Sequence, residues 1–160
     1  MRFSAEDSRT TYYMISELKR VAKIPICMHC HDDLGLALAN TLAGAEVGAK
    51  QLHTTVNGIV ERSGNTPLGE LLVALRLHYG LEGYDLTKIK DLYKLVKTYS
   101  AVPVSENKPV VGTNAFAHES GIHVAAVLEE PRTYELYSPE MLGAARHIII
   151  GKHTGSKALK

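Results

Sequence analysis

The sequence predicts an α/β fold in which short parallel strands alternate with helices. Two segments, residues 24–31 (IPICMHCH) and 50–57 (KQLHTTVN), have the length and the apolar or β-branched content of buried strands. Each strand segment is followed by a segment of helical character, residues 34–47 and 68–79. Strand, helix, strand and helix joined by short connections specify right-handed β-α units around a parallel sheet.

Turn and capping residues separate the elements of the first half. Residues 11–23 place apolar side chains at spacings of three and four, which predicts an amphipathic helix that ends before Pro25. Asp33 follows the first strand and is the predicted N-cap of the helix over residues 34–47, which Gly48 closes. In sheets of this kind, functional side chains collect at the carboxyl ends of the strands.

The second half of the chain has a different pattern, which predicts a helical subdomain. Its elements are a helix over residues 86–100, an extended linker over 102–112, a helix over 115–130 that Pro131 ends, and a short strand over 147–151. The change of pattern falls near residues 81–86. We therefore expect a β-α region over residues 1–85, followed by the linker and the helical subdomain over residues 86–160.

The composition and the net charge limit the classes of function that the chain can have. The chain has 160 residues, of which 45% are apolar and 22% charged, as in ordinary globular domains. Its 18 basic and 17 acidic residues give a net charge of +1, which provides no bulk attraction for nucleic acid or membranes. No segment approaches the roughly 18 consecutive apolar residues of a membrane span. With two cysteines and no apolar run of a secretory signal near the N-terminus, we expect a reducing, cytoplasmic location.

The first predicted strand ends in a His-Cys-His sequence that indicates a divalent-metal site. Side chains at positions i and i+2 of a strand point to the same face about 7 Å apart, so His29 and His31 can converge on one ion while Cys30 points away. Asn65 lies in the loop after the next strand. These ligand types suit Mg²⁺, Mn²⁺ or Zn²⁺ equally. The alternative is a hydrogen-bonded core histidine beside a surface histidine.

Two other polar segments contain candidate functional side chains. Glu61 and Arg62 lie side by side in the loop that follows the second strand, where the alternative is a solvated turn with a local ion pair. In residues 114–123 (NAFAHESGIH), His118 and His123 lie roughly one and a half turns apart on a helix, too far for a compact metal site. A general acid or base role for one of these histidines and a hydrogen-bonded helix cap remain open.

Long motifs in both halves, among them HCHDDLGLALANT from residue 29 and NAFAHESGIH from residue 114, resemble those of the 2-isopropylmalate and homocitrate synthase family, a DRE-TIM metallolyase type. Residues 29–51 (HCHDDLGLALANTLAGAEVGAKQ) and 54–75 (TTVNGIVERSGNTPLGELLVAL) are similar to its metal-binding strand and the following loop. Residues 107–135 (NKPVVGTNAFAHESGIHVAAVLEEPRTYE) and 148–155 (IIIGKHTG) resemble the subdomain after its barrel. A complete TIM barrel needs about 250 residues. The resemblance therefore implies an incomplete TIM (β/α) barrel of carboxyl-terminal β-α units, followed by a mainly helical subdomain.

The resemblance implies an acyltransferase that carries out a metal-dependent, Claisen-type condensation of acetyl-CoA with a 2-oxo acid. His29, His31 and Asn65 match the positions that bind the divalent metal, Mg, Mn or Zn. Glu61 matches a position on the acetyl-CoA side of the site. Glu6, in FSAED, matches an active-site glutamate of an earlier strand.

The resemblance also implies a role for the subdomain in catalysis. His118 and Tyr134 match the pair that resembles the acid/base machinery of the family. In the family this pair reaches the active site of the partner subunit. A homodimer with exchanged subdomains is therefore implied.

The chain also departs from the family pattern. The family's opening strand and a stretch after FSAED are not found, so we expect an incomplete barrel with weak or no activity alone. The motifs favour 2-oxoglutarate, giving homocitrate in lysine or related biosynthesis, over 2-oxoisovalerate, giving 2-isopropylmalate in leucine biosynthesis. A function of another class, a non-catalytic remnant that acts as a dimerisation module, stays open. Residues 115–137 argue against a metal-dependent aldolase or lyase on the same barrel, because such an enzyme would not need the subdomain with His118 and Tyr134.

Overall fold

The fold consists of two units. The structure is a computed structural model that describes residues 7–152. Its contacts divide the chain into Met1–Ala74 and Leu75–Lys160. The described residues contain no helix with both the length and the apolar composition of a membrane span.

The first unit is a β-α-β arrangement preceded by a helix. Its elements are α1 (Ser8–Val21), β1 (Cys27–Met28), α2 (Ala37–Glu46), β2 (Gln51–Leu52) and the start of α3 (Leu68–Tyr79). Strands β1 and β2 are parallel, with Cys27 opposite Gln51 and Met28 opposite Leu52. The predicted parallel β-α-β unit is confirmed, although the regular strand pairing is shorter than the apolar segments.

Helix α2 packs between α1 and the sheet. The Lys19 ammonium of α1 donates a 2.8 Å hydrogen bond to the carbonyl of Val47, the residue that follows the last turn of α2. The C-terminal end of a helix has a partial negative charge, so a cation is favourable at this position. Gly44 of α2 faces β1, because a Cβ atom at this position would lie 2.7 Å from Met28 Sδ. The absence of a side chain at residue 44 therefore lets the helix lie close to the strand.

The predicted N-cap of α2 is wrong. Asp32, not Asp33, accepts a 2.9 Å hydrogen bond from the backbone N–H of Ala37. A turn closed by Gly35 N–H donating to the Asp32 carbonyl at 3.0 Å delays the helix start to Ala37. Asp33 is left free to bind the side chain of Arg62.

In the described part of the second unit, which begins within α3, two further α-helices accompany a short parallel sheet. A 3₁₀ turn, Leu86–Lys88, leads into α4 (Ile89–Ser100), and β3 (Ala117–His118), α5 (Gly121–Glu129) and β4 (His147–Ile148) follow. Strands β3 and β4 are parallel, with Ala117 opposite His147 and His118 opposite Ile148. Tyr93 of α4, Phe116 before β3, Val124 of α5 and Leu142 are buried and form part of its core.

The predicted helix over residues 115–130 is wrong in its first part. The Phe116 carbonyl accepts from His147 N–H and the His118 carbonyl accepts from Ile149 N–H, both at 2.9 Å. These hydrogen bonds hold the backbone around Ala117 and His118 in an extended conformation as β3, so helix α5 begins only at Gly121. The predicted strand over residues 147–151 is present as β4.

Candidate functional site

The carboxyl ends of β1 and β2 are joined by the loop that contains Asn65. Asp32 N–H, after β1, donates to the Gly64 carbonyl at 3.0 Å, and Thr55 N–H, after β2, donates to the Thr66 carbonyl at 3.1 Å. His31 and Asn65 also face each other in an antiparallel bridge. The loop is therefore fixed to both strand ends, where the sequence predicts the functional side chains.

Local backbone geometry explains the Gly-Asn-Thr sequence of this loop. Gly64 has φ of +100°, and a Cβ atom there would clash with the Gly58 carbonyl, which accepts from Asn65 N–H at 3.0 Å. Thr66 is fully buried. Its hydroxyl lies 2.7 Å from that of Thr41 and also donates to a carbonyl in the first turn of α2. Glycine allows the turn, and the threonine attaches it to α2.

The three predicted metal ligands lie together at this end of the sheet. The imidazole rings of His29 and His31 are 5.1 Å apart between centroids and nearly perpendicular. Asn65 is 1% exposed, and its Nδ2 donates a 2.7 Å hydrogen bond to the Cys30 carbonyl. Because only the amide nitrogen can donate this bond, the orientation of the Asn65 side chain is set.

Two of these residues present buried atoms that could accept a hydrogen bond or bind a cation. Neither Nδ1 of His31 nor Oδ1 of Asn65 has a hydrogen-bond partner within the described part of the chain. A buried polar atom left without a partner costs about 1–3 kcal/mol. An imidazole nitrogen and an amide oxygen are both ligands of divalent cations. These two atoms therefore fit the predicted metal.

These residues would provide only part of a coordination shell. Within residues 7–152 no group of three or more His, Cys, Asp or Glu side chains is arranged to hold a metal ion. An octahedral ion takes six ligands, so substrate, water or further protein groups would have to complete the shell around His29, His31 and Asn65.

His53 is a neighbour of this site that sequence reasoning missed. Its ring centroid lies 5.6 Å from that of His29, and its backbone N–H donates to the Met28 carbonyl at 2.8 Å. The parallel register, with Met28 opposite Leu52, continues to place His53 beside His29. In the two paired strands, facing residues are 24 positions apart in sequence. This register would have identified His53 as the neighbour of His29, but it cannot be read from the sequence alone.

An ion pair holds the loop that contains Glu61. Arg62 binds Asp33 through two hydrogen bonds, Nε to Oδ1 and Nη2 to Oδ2, both 2.9 Å. The hydrogen bond from Arg62 lowers the pKa of Asp33 below its usual value. The Glu61 side chain is exposed beside this pair. Glu6, the remaining candidate of the first unit, lies outside the described residues.

In the second unit, His118 belongs to a group with a carboxylate and a guanidinium. His118 Nε2 lies 3.4 Å from Glu135 Oε1 without the geometry of a hydrogen bond. Arg146 binds the same carboxylate through Nε at 2.6 Å and Nη2 at 2.8 Å. The hydrogen bonds from Arg146 lower the pKa of Glu135, which keeps this nearly buried carboxylate ionised beside the imidazole.

Tyr134 lies against a different histidine from the one that the family resemblance pairs with it. The ring centroids of Tyr134 and His123 are 4.3 Å apart. Because α5 begins at Gly121, His123 is in its first turn, whereas His118 lies in β3. The structure therefore brings Tyr134 together with His123, and His118 together with Glu135.

Comparison with known families finds a match in each half of the chain. The profile of the HMGL-like family matches residues 5–96, more than half of the chain. The chain belongs to the HMGL-like family. Residues 110–160 match a second family, described as homocitrate synthase post-HMGL domain-like. The two matches support the resemblance drawn from the motifs of both halves.

Two relatives that match nearly the whole of this chain are synthases. The chain is 64% identical over 151 residues to Homocitrate synthase AksA of Methanosarcina acetivorans, covering 94% of this chain and 37% of the relative. It is 49% identical over 153 residues to 2-isopropylmalate synthase of Methanocaldococcus jannaschii, covering 95% of this chain and 30% of that protein. The chain thus spans about a third of the length of these relatives.

Solved structures show the fold. An HMG-CoA lyase from Acenitobacter baumannii, solved with coenzyme A and 3-methylmalate, superposes with a TM-score of 0.54 at 22% identity. The match covers 63% of this chain and 35% of the lyase. This likeness, together with the family match, confirms the prediction of part of a TIM barrel in an α/β chain.

Proposed function

We propose that the protein containing this chain condenses acetyl-CoA with 2-oxoglutarate to give homocitrate, using a divalent metal held in part by His29, His31 and Asn65. The observation that carries the proposal is the pair of buried acceptor atoms, His31 Nδ1 and Asn65 Oδ1, at the carboxyl ends of two parallel strands. The 64% identity to a homocitrate synthase supports homocitrate, and the 49% identity to a 2-isopropylmalate synthase makes 2-oxoisovalerate the second candidate.

The first unit would bind and orient the oxo acid. When bound, a divalent cation supplies Lewis-acid polarisation of a keto group. The bond from Asn65 Nδ2 to the Cys30 carbonyl holds the amide so that Oδ1 stays available as a ligand. The Arg62–Asp33 pair fixes the loop and so limits the positions that the neighbouring Glu61 can take on the acetyl-CoA side. Glu6 remains a predicted active-site glutamate.

The second unit would move protons. A tyrosine hydroxyl and an imidazole can exchange a proton with a reacting group near neutral pH. Tyr134 and His118 are the predicted pair, and the ring contact makes His123 an equal candidate for the imidazole. Glu135, kept ionised by Arg146, can orient the His118 ring.

Calorimetric titration of the metal-depleted chain with Mn²⁺ or Zn²⁺ tests the binding half of the proposal. We expect 2-oxoglutarate to bind more tightly when metal is present, and 2-oxoisovalerate to gain less. His31→Gln and Asn65→Ala should weaken metal binding at least tenfold, the loss expected for one ligand (about 1.4 kcal/mol). His78→Gln removes an exposed histidine of α3 and serves as the matched control. Equal losses in all three variants would refute the site.

Thiol release from acetyl-CoA tests the chemical half. We expect Tyr134→Phe to reduce release, and a comparison of His118→Gln with His123→Gln to identify the imidazole that acts with it. Release that depends on neither histidine would refute the acid/base role. A chain that binds no metal but sediments as a stable dimer would support the non-catalytic dimerisation module instead. The homodimer with exchanged subdomains stays a prediction, and the same sedimentation experiment would test whether the chain forms a dimer.

A further inference from the structure

A cavity in the second unit is lined on one side by lysine side chains of α4. Its volume is about 760 Å³, within the range of roughly 300–1,000 Å³ that small-molecule sites occupy. Its other walls come from residues 104–106, residues 111–114 and the ends of β3 and β4. None of the residues proposed above to bind metal or move protons lines this cavity, so it requires a separate explanation.

The cavity has an excess of positive charge. Lys90, Lys94 and Lys97 follow one another at spacings of four and three, which places them on one face of α4. Lys94 binds Asp91 at 3.2 Å. Within residues 7–152, neither Lys90 nor Lys97 has a carboxylate partner, and of the described residues that line the cavity only Glu106 is acidic. A multiply charged anion would neutralise this face.

Lys90 shows why the face is unfavourable without an anion. Its ammonium is partly buried and lies 5.7 Å from the centroid of the Phe116 ring, which offers a weak cation–π contact. Burial, and then the nearby charge of Lys94, lower the pKa of Lys90 below its usual value. An anion beside this ammonium would offset both effects.

The opposite wall indicates the rest of the ligand. Ser105 and Thr113 offer hydroxyl groups, whereas Val104, Val111 and Ile149 provide apolar surface. The lysine positions span about 10 Å along the helix, since each residue rises 1.5 Å. Such a row of point charges matches a chain of phosphate groups better than a single compact anion.

We propose that this cavity binds a small organic molecule with two or more linked phosphate groups, whose phosphates lie along Lys90 and Lys97 and whose body lies against Val104, Val111 and Ile149. Calorimetric titration of the whole 160-residue chain in about 50 mM salt, where phosphate contacts are strong, provides the test. The probes are ADP, inorganic pyrophosphate and citrate. ADP should bind at least tenfold more tightly than pyrophosphate, because only ADP has a ring body, and citrate should bind least.

Charge-removing variants locate the binding. Lys90→Gln and Lys97→Gln should each weaken ADP binding about tenfold, as expected for one charge-assisted contact. Lys88→Gln removes the same charge just before α4 but outside the cavity lining, and it should leave the affinity unchanged. Lys97 is exposed, so its variant should fold even if Lys90→Gln does not. Failure of ADP to bind, tighter binding of citrate, no gain of ADP over pyrophosphate, or an equal loss in Lys88→Gln would overturn the proposal.

Discussion

Asn65 and Thr66 are adjacent and almost fully buried, with exposed fractions of 1% and 0%, yet their truncation should affect the metal-free protein differently. Asn65→Ala removes the hydrogen bond to the Cys30 carbonyl, which costs about 0.5–1.5 kcal/mol. It also removes Oδ1, whose burial without a partner costs about 1–3 kcal/mol in the folded state. The two contributions oppose each other. The net change in the free energy of unfolding should therefore lie between a gain of about 2.5 kcal/mol and a loss of about 0.5 kcal/mol.

Thr66→Val has no such compensation. The Thr66 hydroxyl contacts the Thr41 hydroxyl at 2.7 Å and the Ala37 carbonyl at 3.3 Å. Valine keeps the shape of the side chain but makes neither bond, so we expect a loss of about 1–3 kcal/mol. Because 1 kcal/mol corresponds to roughly 2–4 °C in a chain of this size, the two variants should differ visibly in thermal unfolding.

Urea unfolding in the presence of a chelator, repeated with Mn²⁺, measures both effects. A ligand at 100 times its Kd adds about 2.7 kcal/mol to the stability of the folded state. Wild type and Thr66→Val should gain this increment from Mn²⁺, whereas Asn65→Ala should gain much less. If metal-free Asn65→Ala is destabilised as strongly as Thr66→Val, Oδ1 is not an unsatisfied atom. If both variants respond equally to Mn²⁺, Asn65 is not a ligand.

Three further predictions concern the loop, the Glu135 carboxylate and the two thiols. Gly64→Ala should destabilise the first unit by at least about 1–3 kcal/mol, because φ of +100° is strained for alanine, and urea unfolding would show it. Since Arg146 lowers the pKa of Glu135, the pair stabilises the fold above the usual carboxyl value of 4.5 and loses that contribution as pH falls through the lower, folded value. Unfolding measured between about pH 5 and 2 should thus be less pH-dependent in Glu135→Gln than in wild type. Burial raises the pKa of the Cys30 thiol, whereas Cys27 is exposed, so a disulfide reagent should label Cys27 first, and Cys27→Ser should remove the fast phase.

Elements bounded by local signals were predictable from sequence. Helix α3 covers Leu68–Tyr79, the predicted range, because Pro67 precedes it and Gly80, with φ of +63°, follows it. The segment over residues 115–130 was not predictable in the same way. Its first residues bond to β4, about thirty residues further along the chain, and local helix propensity contains no information about that partner.

The candidate site was predictable in its residue types but not in its contacts. The His-Cys-His pattern and the loop with Asn65 pointed to the carboxyl ends of the strands, and the structure places them there. The proximity of His53 depends on strand register, and that of His123 to Tyr134 on where α5 begins. Both are set by contacts between residues distant in sequence.

The close approach of α2 to β1 has a consequence for how the sequence can vary. The thioether chain of Met28 fills the space that a side chain at Gly44 would need. The strand and the helix thus share one volume, so a larger residue at position 44 becomes tolerable only when position 28 becomes smaller. The two positions should therefore covary in evolution: the side chain at one position becomes larger as the other becomes smaller, and the distance between helix and strand stays the same.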